Sequence, residues 1–237
     1  MGFNGASTFG ATDFRFTIVI VNTILAAAFG CLTTMFVMWK KYGKPDPSMT
    51  CNGLLAGLVA ITAPCAFVAP WAAAVIGVVA GVLVVVAVVV VEHKAKVDDP
   101  VGAVAVHGAN GLWGLLALGL FADGRYGDGF NGVAGGVKGL FYGESGQLWA
   151  QLASMVVVVA WCSVACIVFF TILKKAGVLR SDEAAEVAGL DMPEMGALAY
   201  PDFLEAQGAV FYTTGGSALV ELKPSDAAST REEVGAS

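Results

Sequence analysis

The chain has 237 residues, 57% of them hydrophobic and only 14% charged, with a mean hydropathy of +0.75. Soluble domains carry about a quarter charged residues, so this composition excludes an ordinary soluble domain and indicates a lipid-embedded protein. The net charge is −6 and no basic stripe with interleaved aromatic residues is present, so nucleic acid is not expected as a partner. Five cysteines without a Cys-x-x-Cys pair argue against a disulfide framework and a zinc site, and no cofactor is expected.

Five long apolar segments follow one another along the chain. A helix of about 20 apolar residues crosses the hydrocarbon core of a bilayer, and each segment is close to that length. Pro64 makes the second segment the weakest, whereas Asp99 and Pro100 form an acidic, proline-containing start for the fourth. We predict an all-α membrane protein whose bundle lies within residues 1–176, with about five transmembrane helices over residues 16–39, 49–68, 71–91, 101–121 and 148–173.

Small residues recur in these segments at the spacing of helix packing. Gly53 and Gly57 form a Gly-x-x-x-Gly pair in the second segment, and Gly77 and Gly81 form another in the third. Small side chains let the backbones of membrane helices approach closely. The pattern predicts a densely packed bundle and indicates nothing about chemistry.

Basic residues determine the expected orientation. The ends of the first, third and fifth segments carry eight of them: Lys40, Lys41, Lys44, Lys94, Lys96, Lys174, Lys175 and Arg180. The opposite side carries three, namely Arg15, Arg125 and Lys138. The positive-inside rule therefore predicts a multi-pass protein of the plasma membrane with residues 177–237 as a cytoplasmic tail. Beyond about residue 210 the composition is polar and predicts a flexible segment.

The two histidines differ in their surroundings. His93 follows the third segment in a basic turn, as an interfacial residue would. His107 lies inside the fourth segment, where an ionisable group is costly. Its imidazole either bonds a neighbouring helix for structure or serves a pore or proton relay. An enzyme is not predicted, because no nucleophile–base pair is spaced for catalysis around His107.

Four segments together resemble the Amt/Rh ammonium transporter family. Residues 2–7 (GFNGAS) are similar to the end of that family's sixth helix. Residues 52–62 (NGLLAGLVAIT) resemble its eighth helix, and residues 98–108 (DDPVGAVAVHG) resemble its tenth. The tail segment from Ala188 to Asp191, continued by Ala199 to Pro201, resembles its cytoplasmic element. The order and spacing of the four make the resemblance specific.

The resemblance implies a fold and an assembly. Family members have eleven helices, ten of them in two inverted five-helix repeats, and form homotrimers with one pore in each subunit. This chain resembles the second repeat, from the end of helix six through helix eleven and the tail. The first five helices and the first pore histidine have no counterpart, so the chain is expected to be a fragment that needs the other half to conduct. The tail departs from the family at Met195 and at Val178–Arg180.

The resemblance also assigns pore residues. His107 matches the second of two pore histidines, and Phe3 matches a phenylalanine that gates the pore from outside. Ser7 matches a hydroxyl of the outer ammonium recruitment site, and Thr62 matches a pore-adjacent threonine. The implied substrate is ammonium or ammonia, and a PII-type signal protein is a possible partner at the cytoplasmic face. The alternative is a non-transporting membrane sensor or regulatory subunit that acts through its tail.

Overall fold

The fold is given by a computed structural model that describes residues 1–12, 14–125, 135–197, 199, 209–214 and 217–222. Its helices are α1 (Gly2–Ala6), α2 (Phe14–Tyr42), α3 (Pro47–Thr62), α4 (Pro70–Val89), α5 (Asn110–Phe121), α6 (Gly146–Lys175) and α7 (Glu183–Ala188). Single π-helical turns cover Val90–Lys94, Val104–Ala109 and Asp191–Met195, and a 3-10 turn covers Leu140–Tyr142. The strands β1 (Ala209–Thr214) and β2 (Ser217–Leu222) pair antiparallel. The chain divides into two units, residues 1–163 and 164–237.

Residues 1–163 form a helical bundle. Among the described residues, four helices are long and apolar enough to cross a membrane: Phe14–Tyr42, Pro70–Lys94, Val104–Phe121 and Gly146–Lys175. The all-α membrane fold predicted from the sequence is confirmed. The first and last of these helices extend beyond the predicted ranges 16–39 and 148–173 at both ends, and at the C-terminal ends the flanking lysines continue the helix as its last turn.

Helix α3 is shorter than the predicted span 49–68. It begins at Pro47, where the Asp46 side chain accepts a hydrogen bond from the Met49 N–H at 2.7 Å, and it ends at Thr62 after 16 residues. Pro64 has no N–H to continue the helical ladder, and a turn leads instead to Pro70. At 1.5 Å per residue, α3 is about 24 Å long.

The centre of the bundle is a glycine seam where α2, α3 and α4 meet. It consists of Gly30, Gly53, Gly57, Gly77 and Gly81. A Cβ atom at Gly57 or Gly77 would lie 2.2 or 2.4 Å from the Ala26 carbonyl oxygen, so these helices touch through their backbones. The Thr34 hydroxyl donates across the seam to the Gly81 carbonyl at 2.8 Å. Close packing of the predicted kind is therefore present.

Residues 164–237 contain the end of α6, α7 and the hairpin. The guanidinium of Arg180, which precedes α7, bonds the Glu186 carboxylate within α7 and lowers the pKa of that carboxyl. The hairpin falls in the range for which a flexible segment is predicted, and the sequence interpretation did not foresee it. Residues 215–216 and 223–237, which belong to the predicted flexible segment, lie outside the described residues. So do Tyr200 and Pro201 of the family-like tail element.

Candidate functional site

A small cleft of about 370 Å³ lies between α1, α3 and the chain that leads into α5. We call it the His107 cleft; its lining residues are Phe3, Val59, Thr62, Ala63, His107, Gly111 and Leu115. The structure therefore brings together three of the four residues singled out from the sequence. The imidazole of His107 and the hydroxyl of Thr62 are the polar side-chain groups of an otherwise apolar lining.

The fourth residue, Ser7, lies in an adjoining cavity of about 300 Å³. This cavity shares Thr62 and Ala63 with the His107 cleft, so the end of α3 forms a wall of both. The Ser7 hydroxyl donates to the Phe3 carbonyl oxygen at 3.0 Å. Ser7 is thus joined to the cleft through the backbone of Phe3 and does not line it.

Helix α1 presents Phe3 because its opposite side is fixed to α2. Asn4 is buried, and its Nδ2 atom donates to the Thr23 hydroxyl at 3.2 Å. Gly5 lies so close to α2 that a Cβ there would be 2.8 Å from the Ile20 side chain. With this side held, the Phe3 ring stays 78% exposed and free to face the cleft.

The turn after α3 is held by an asparagine that the sequence interpretation missed. Asn22, fully buried in α2, donates from Nδ2 to the carbonyl oxygens of Cys65 at 2.9 Å and Val68 at 2.8 Å. These carbonyls follow the helix end at Thr62 and have no partner in an α-helical ladder. A single asparagine inside a long apolar segment was the available signal, because a buried amide needs partners.

His107 lies in the π-turn Val104–Ala109 and is exposed, whereas its neighbours Ala105 and Val106 are buried. No described residue forms a hydrogen bond with its imidazole. The carboxylate of Asp99 begins this segment, accepting the Ala103 N–H at 2.7 Å and the Val104 N–H at 2.9 Å. Such capping satisfies backbone donors at a helix start.

The cleft has the chemistry of a passage or binding site for a small molecule. Its apolar lining compensates for little of the hydration free energy that a bare ion loses on entering. The neutral imidazole of His107 supplies one hydrogen-bond donor and one acceptor. Among the described residues, no group of three His, Cys, Asp or Glu side chains is placed to hold a metal ion.

Four apolar helices of membrane-spanning length among the described residues define the class, a multi-pass helical membrane protein. Comparison with known proteins narrows this class. The profile of the Ammonium Transporter Family matches residues 1–200, and the chain belongs to that family.

Individual relatives agree with this assignment. Ammonium transporter Amt2 of Archaeoglobus fulgidus is 48% identical over 203 residues, which cover 86% of this chain and 43% of that protein. The solved structure titled Sensor Amt Protein has a TM-score of 0.70 at 33% identity, covering 81% of this chain and 45% of that one. The Mep2 structure from Saccharomyces cerevisiae has a TM-score of 0.67 at 31% identity, covering 73% and 40%. The chain thus spans less than half the length of these relatives.

Proposed function

We propose that this chain is the C-terminal half of an ammonium/ammonia transport protein. The proposal rests chiefly on one observation: Phe3, Thr62 and His107, which lie far apart in sequence, line one cleft. The matched portions cover 43% and 45% of two relatives, as one of two repeats would. Inverted-repeat transporters place their substrate site between the repeats. The other repeat would therefore form the opposite wall of the His107 cleft.

The proposed mechanism separates ammonium from alkali cations by deprotonation. An apolar constriction disfavours an ion that must lose its water, and potassium has no neutral form. Ammonium can leave its proton with an acceptor and cross as ammonia. The exposed Phe3 ring stabilises a cation at the mouth through its π face. His107 then accepts or donates a proton inside, exchanging it with an imidazole of the other repeat.

The proposal extends to location and partners. The excess of lysine and arginine after spans one, three and five favours a cytoplasmic tail, in the plasma membrane. A homotrimer and a PII-type signal protein at the cytoplasmic face complete the proposed assembly, by resemblance to the family. Conduction requires the first repeat, and no residue is assigned a catalytic role.

A sensor or regulatory subunit is the second candidate. One similar structure is titled Sensor Amt Protein, and here α7 and the hairpin follow the bundle. In this alternative the bundle only anchors the tail, so the side chain at position 107 is without importance.

The test is a chimera in which residues 1–202 of this chain replace the matching part of the Archaeoglobus transporter. It is expressed in cells that lack their own ammonium transporters, and uptake of labelled methylammonium is measured. We expect His107→Leu to reduce uptake to background, because the proton acceptor is lost. We expect an unchanged melting temperature, because His107 is exposed in this half.

The matched control is His93→Leu, which removes the other histidine from an exposed turn outside the cleft. It should leave uptake unchanged. Full uptake by the His107→Leu chimera would contradict the transport role and favour the anchor alternative.

A further inference from the structure

The segment that carries His107 departs from the α-helix at that residue. In the turn Val104–Ala109 the backbone bonds follow π-helical spacing, which accommodates one residue more than an α-turn. One added residue rotates everything before it by about 100° relative to a continuous α-helix. The turn therefore sets which side chain faces the cleft: His107 is exposed there while Val106 is 2% exposed.

Both flanks of this turn are fixed to the bundle. Downstream, a Cβ at Gly114 would lie 2.6 Å from the Ala60 carbonyl oxygen, and Trp113 Nε1 donates to the Ile76 carbonyl at 3.2 Å. Upstream, Asn52 Nδ2 donates to the Val101 carbonyl at 3.2 Å. With its ends held by α3 and α4, the segment retains the extra residue only if local bonds support it.

Two side chains supply those bonds. The Asp99 carboxylate is 6% exposed, and each oxygen accepts one backbone N–H, from Ala103 and from Val104. The Asn110 amide is fully buried, and its Nδ2 atom donates to the Ala105 carbonyl at 2.9 Å, five residues back. Five residues is the spacing of the π-turn itself. The two side chains thus bracket His107 from before and behind.

The Asn110 side chain also points to a positional role. Its Oδ1 atom is buried and accepts no hydrogen bond from the described residues. A buried unpaired acceptor is costly, so the role of this amide must come from the bond that its Nδ2 atom donates. The bond from Nδ2 to the Ala105 carbonyl oxygen offsets this cost by holding the π-turn.

We propose that Asp99 and Asn110 are positioning residues for His107: they hold the π-turn that directs its imidazole into the cleft. The inference deepens the proposed function, on which its importance for transport rests. Neither residue lines the cleft, and each acts through the backbone of the turn.

The experiment observes the imidazole directly. The full chain carrying His93→Gln has His107 as its single histidine. It is labelled with ¹⁵N-histidine and reconstituted in bilayers of neutral lipid, and the ring resonances are recorded by solid-state NMR. We expect Asp99→Asn to shift these resonances or to split them into two sets. An altered turn changes the ring's surroundings, whereas a cap with only a stability role lowers the melting temperature and leaves the folded spectrum unchanged.

Asp98→Asn is the matched control, since it removes the same charge one residue away from an exposed side chain. Its spectrum should equal that of the parent. If Asp99→Asn does not fold, Asn110→Ala decides, and it should shift the ring signals in the same way. Parental ring resonances in a folded Asp99→Asn or Asn110→Ala protein would overturn the proposal. The readout is independent of transport, so an active His107→Leu chimera would refute the proposed function and leave the positioning result intact.

Discussion

The two sides of α3 differ in how closely they are packed. One side carries Gly53 and Gly57 into the glycine seam, where carbonyl groups of α2 lie closer than a methyl group permits. The other side carries Val59 and Thr62 to the His107 cleft, where about 370 Å³ is left open. Sixteen residues therefore supply both a backbone contact of the glycine seam and part of the lining of the His107 cleft.

The difference shows how stability and function are separated on one helix. In the seam, attraction comes from backbone contact, because lipid removes most of the hydrophobic drive between membrane helices. At the cleft, Phe3, Thr62 and His107 are exposed, so their side chains contribute little to stability. Substitutions on the first side should change the free energy of unfolding, and those on the second should change transport.

Gly57→Ala should cause the largest loss in the free energy of unfolding. The new Cβ would lie 2.2 Å from the Ala26 carbonyl oxygen and 3.1 Å from the Ala27 Cα, so α2 and α3 must move apart. Overpacking of this kind costs about 3 kcal/mol. Unfolding of the chain in mixed micelles, followed by circular dichroism, measures the loss.

Gly111→Ala provides the control at the His107 cleft, where Gly111 lies on α5 and faces α3. Its Cβ would have the Val59 side chain as nearest neighbour, at 3.9 Å, which is ordinary contact. Stability should change by less than about 0.5 kcal/mol. Equal losses for the two substitutions would show that the seam is not a special contact.

Asn22→Ala should have the second largest effect, because this residue links the two regions. Its loss removes two bonds, to the Cys65 and Val68 carbonyls, and releases the turn that follows Thr62. At about 0.6–1.7 kcal/mol per bond in membrane proteins, the cost is about 1–3 kcal/mol. Uptake by the chimera should fall as well, since the wall of the cleft moves.

Val21→Ala on the same helix is the comparison for Asn22. Val21 is 38% exposed, and its truncation should cost less than about 0.5 kcal/mol without changing uptake. The linking role is refuted by an Asn22→Ala chimera with parental stability and uptake.

Thr62→Val should have the smallest effect, and it tests the cleft hydroxyl directly. The Thr62 hydroxyl donates to the Leu58 carbonyl at 2.8 Å and faces the cleft. Its removal should leave stability within about 0.5 kcal/mol. Methylammonium uptake should fall about two- to tenfold, the equivalent of one neutral hydrogen bond of about 0.5–1.5 kcal/mol.

Thr50→Val tests whether that loss belongs to the cleft. Thr50 also lies on α3, and its hydroxyl makes the same type of bond, to the Asp46 carbonyl at 2.7 Å. It does not line the cleft. Parallel losses of uptake in both variants would assign the effect to the helix and not to the passage.

Helices α2, α4 and α6 were predictable because lysines end long uncharged runs. The Gly-x-x-x-Gly pairs also indicated close packing, since backbone contact has few other sequence solutions. The end of α3 was placed too late: apolar residues continue past Pro64, and hydropathy does not report where the backbone turns. Family resemblance singled out Phe3, Thr62 and His107, but their convergence on one cleft is visible only in three dimensions.

The supporting residues were harder to recognise. A π-turn has no periodic signal in a segment that is apolar on nearly every side, so the local geometry at His107 was not foreseen. Asp99 was interpreted as a helix-start signal, which its two N–H contacts support, yet its relation to His107 needed the structure. The pairing of β1 with β2 was not foreseen, although two glycines between two short runs of strand-forming residues were an available sequence signal.

The glycine seam also has a mechanical consequence. Helices that touch through their backbones cannot roll on their axes, because rotation drives the Cβ atoms of neighbouring residues into facing carbonyls. The seam therefore restricts rotation of α2, α3 and α4 relative to one another. Because α2, α3 and α4 are held through their backbones, a solute at the His107 cleft is expected to be accommodated by exposed side chains such as Phe3 and His107 and not by rotation of these helices.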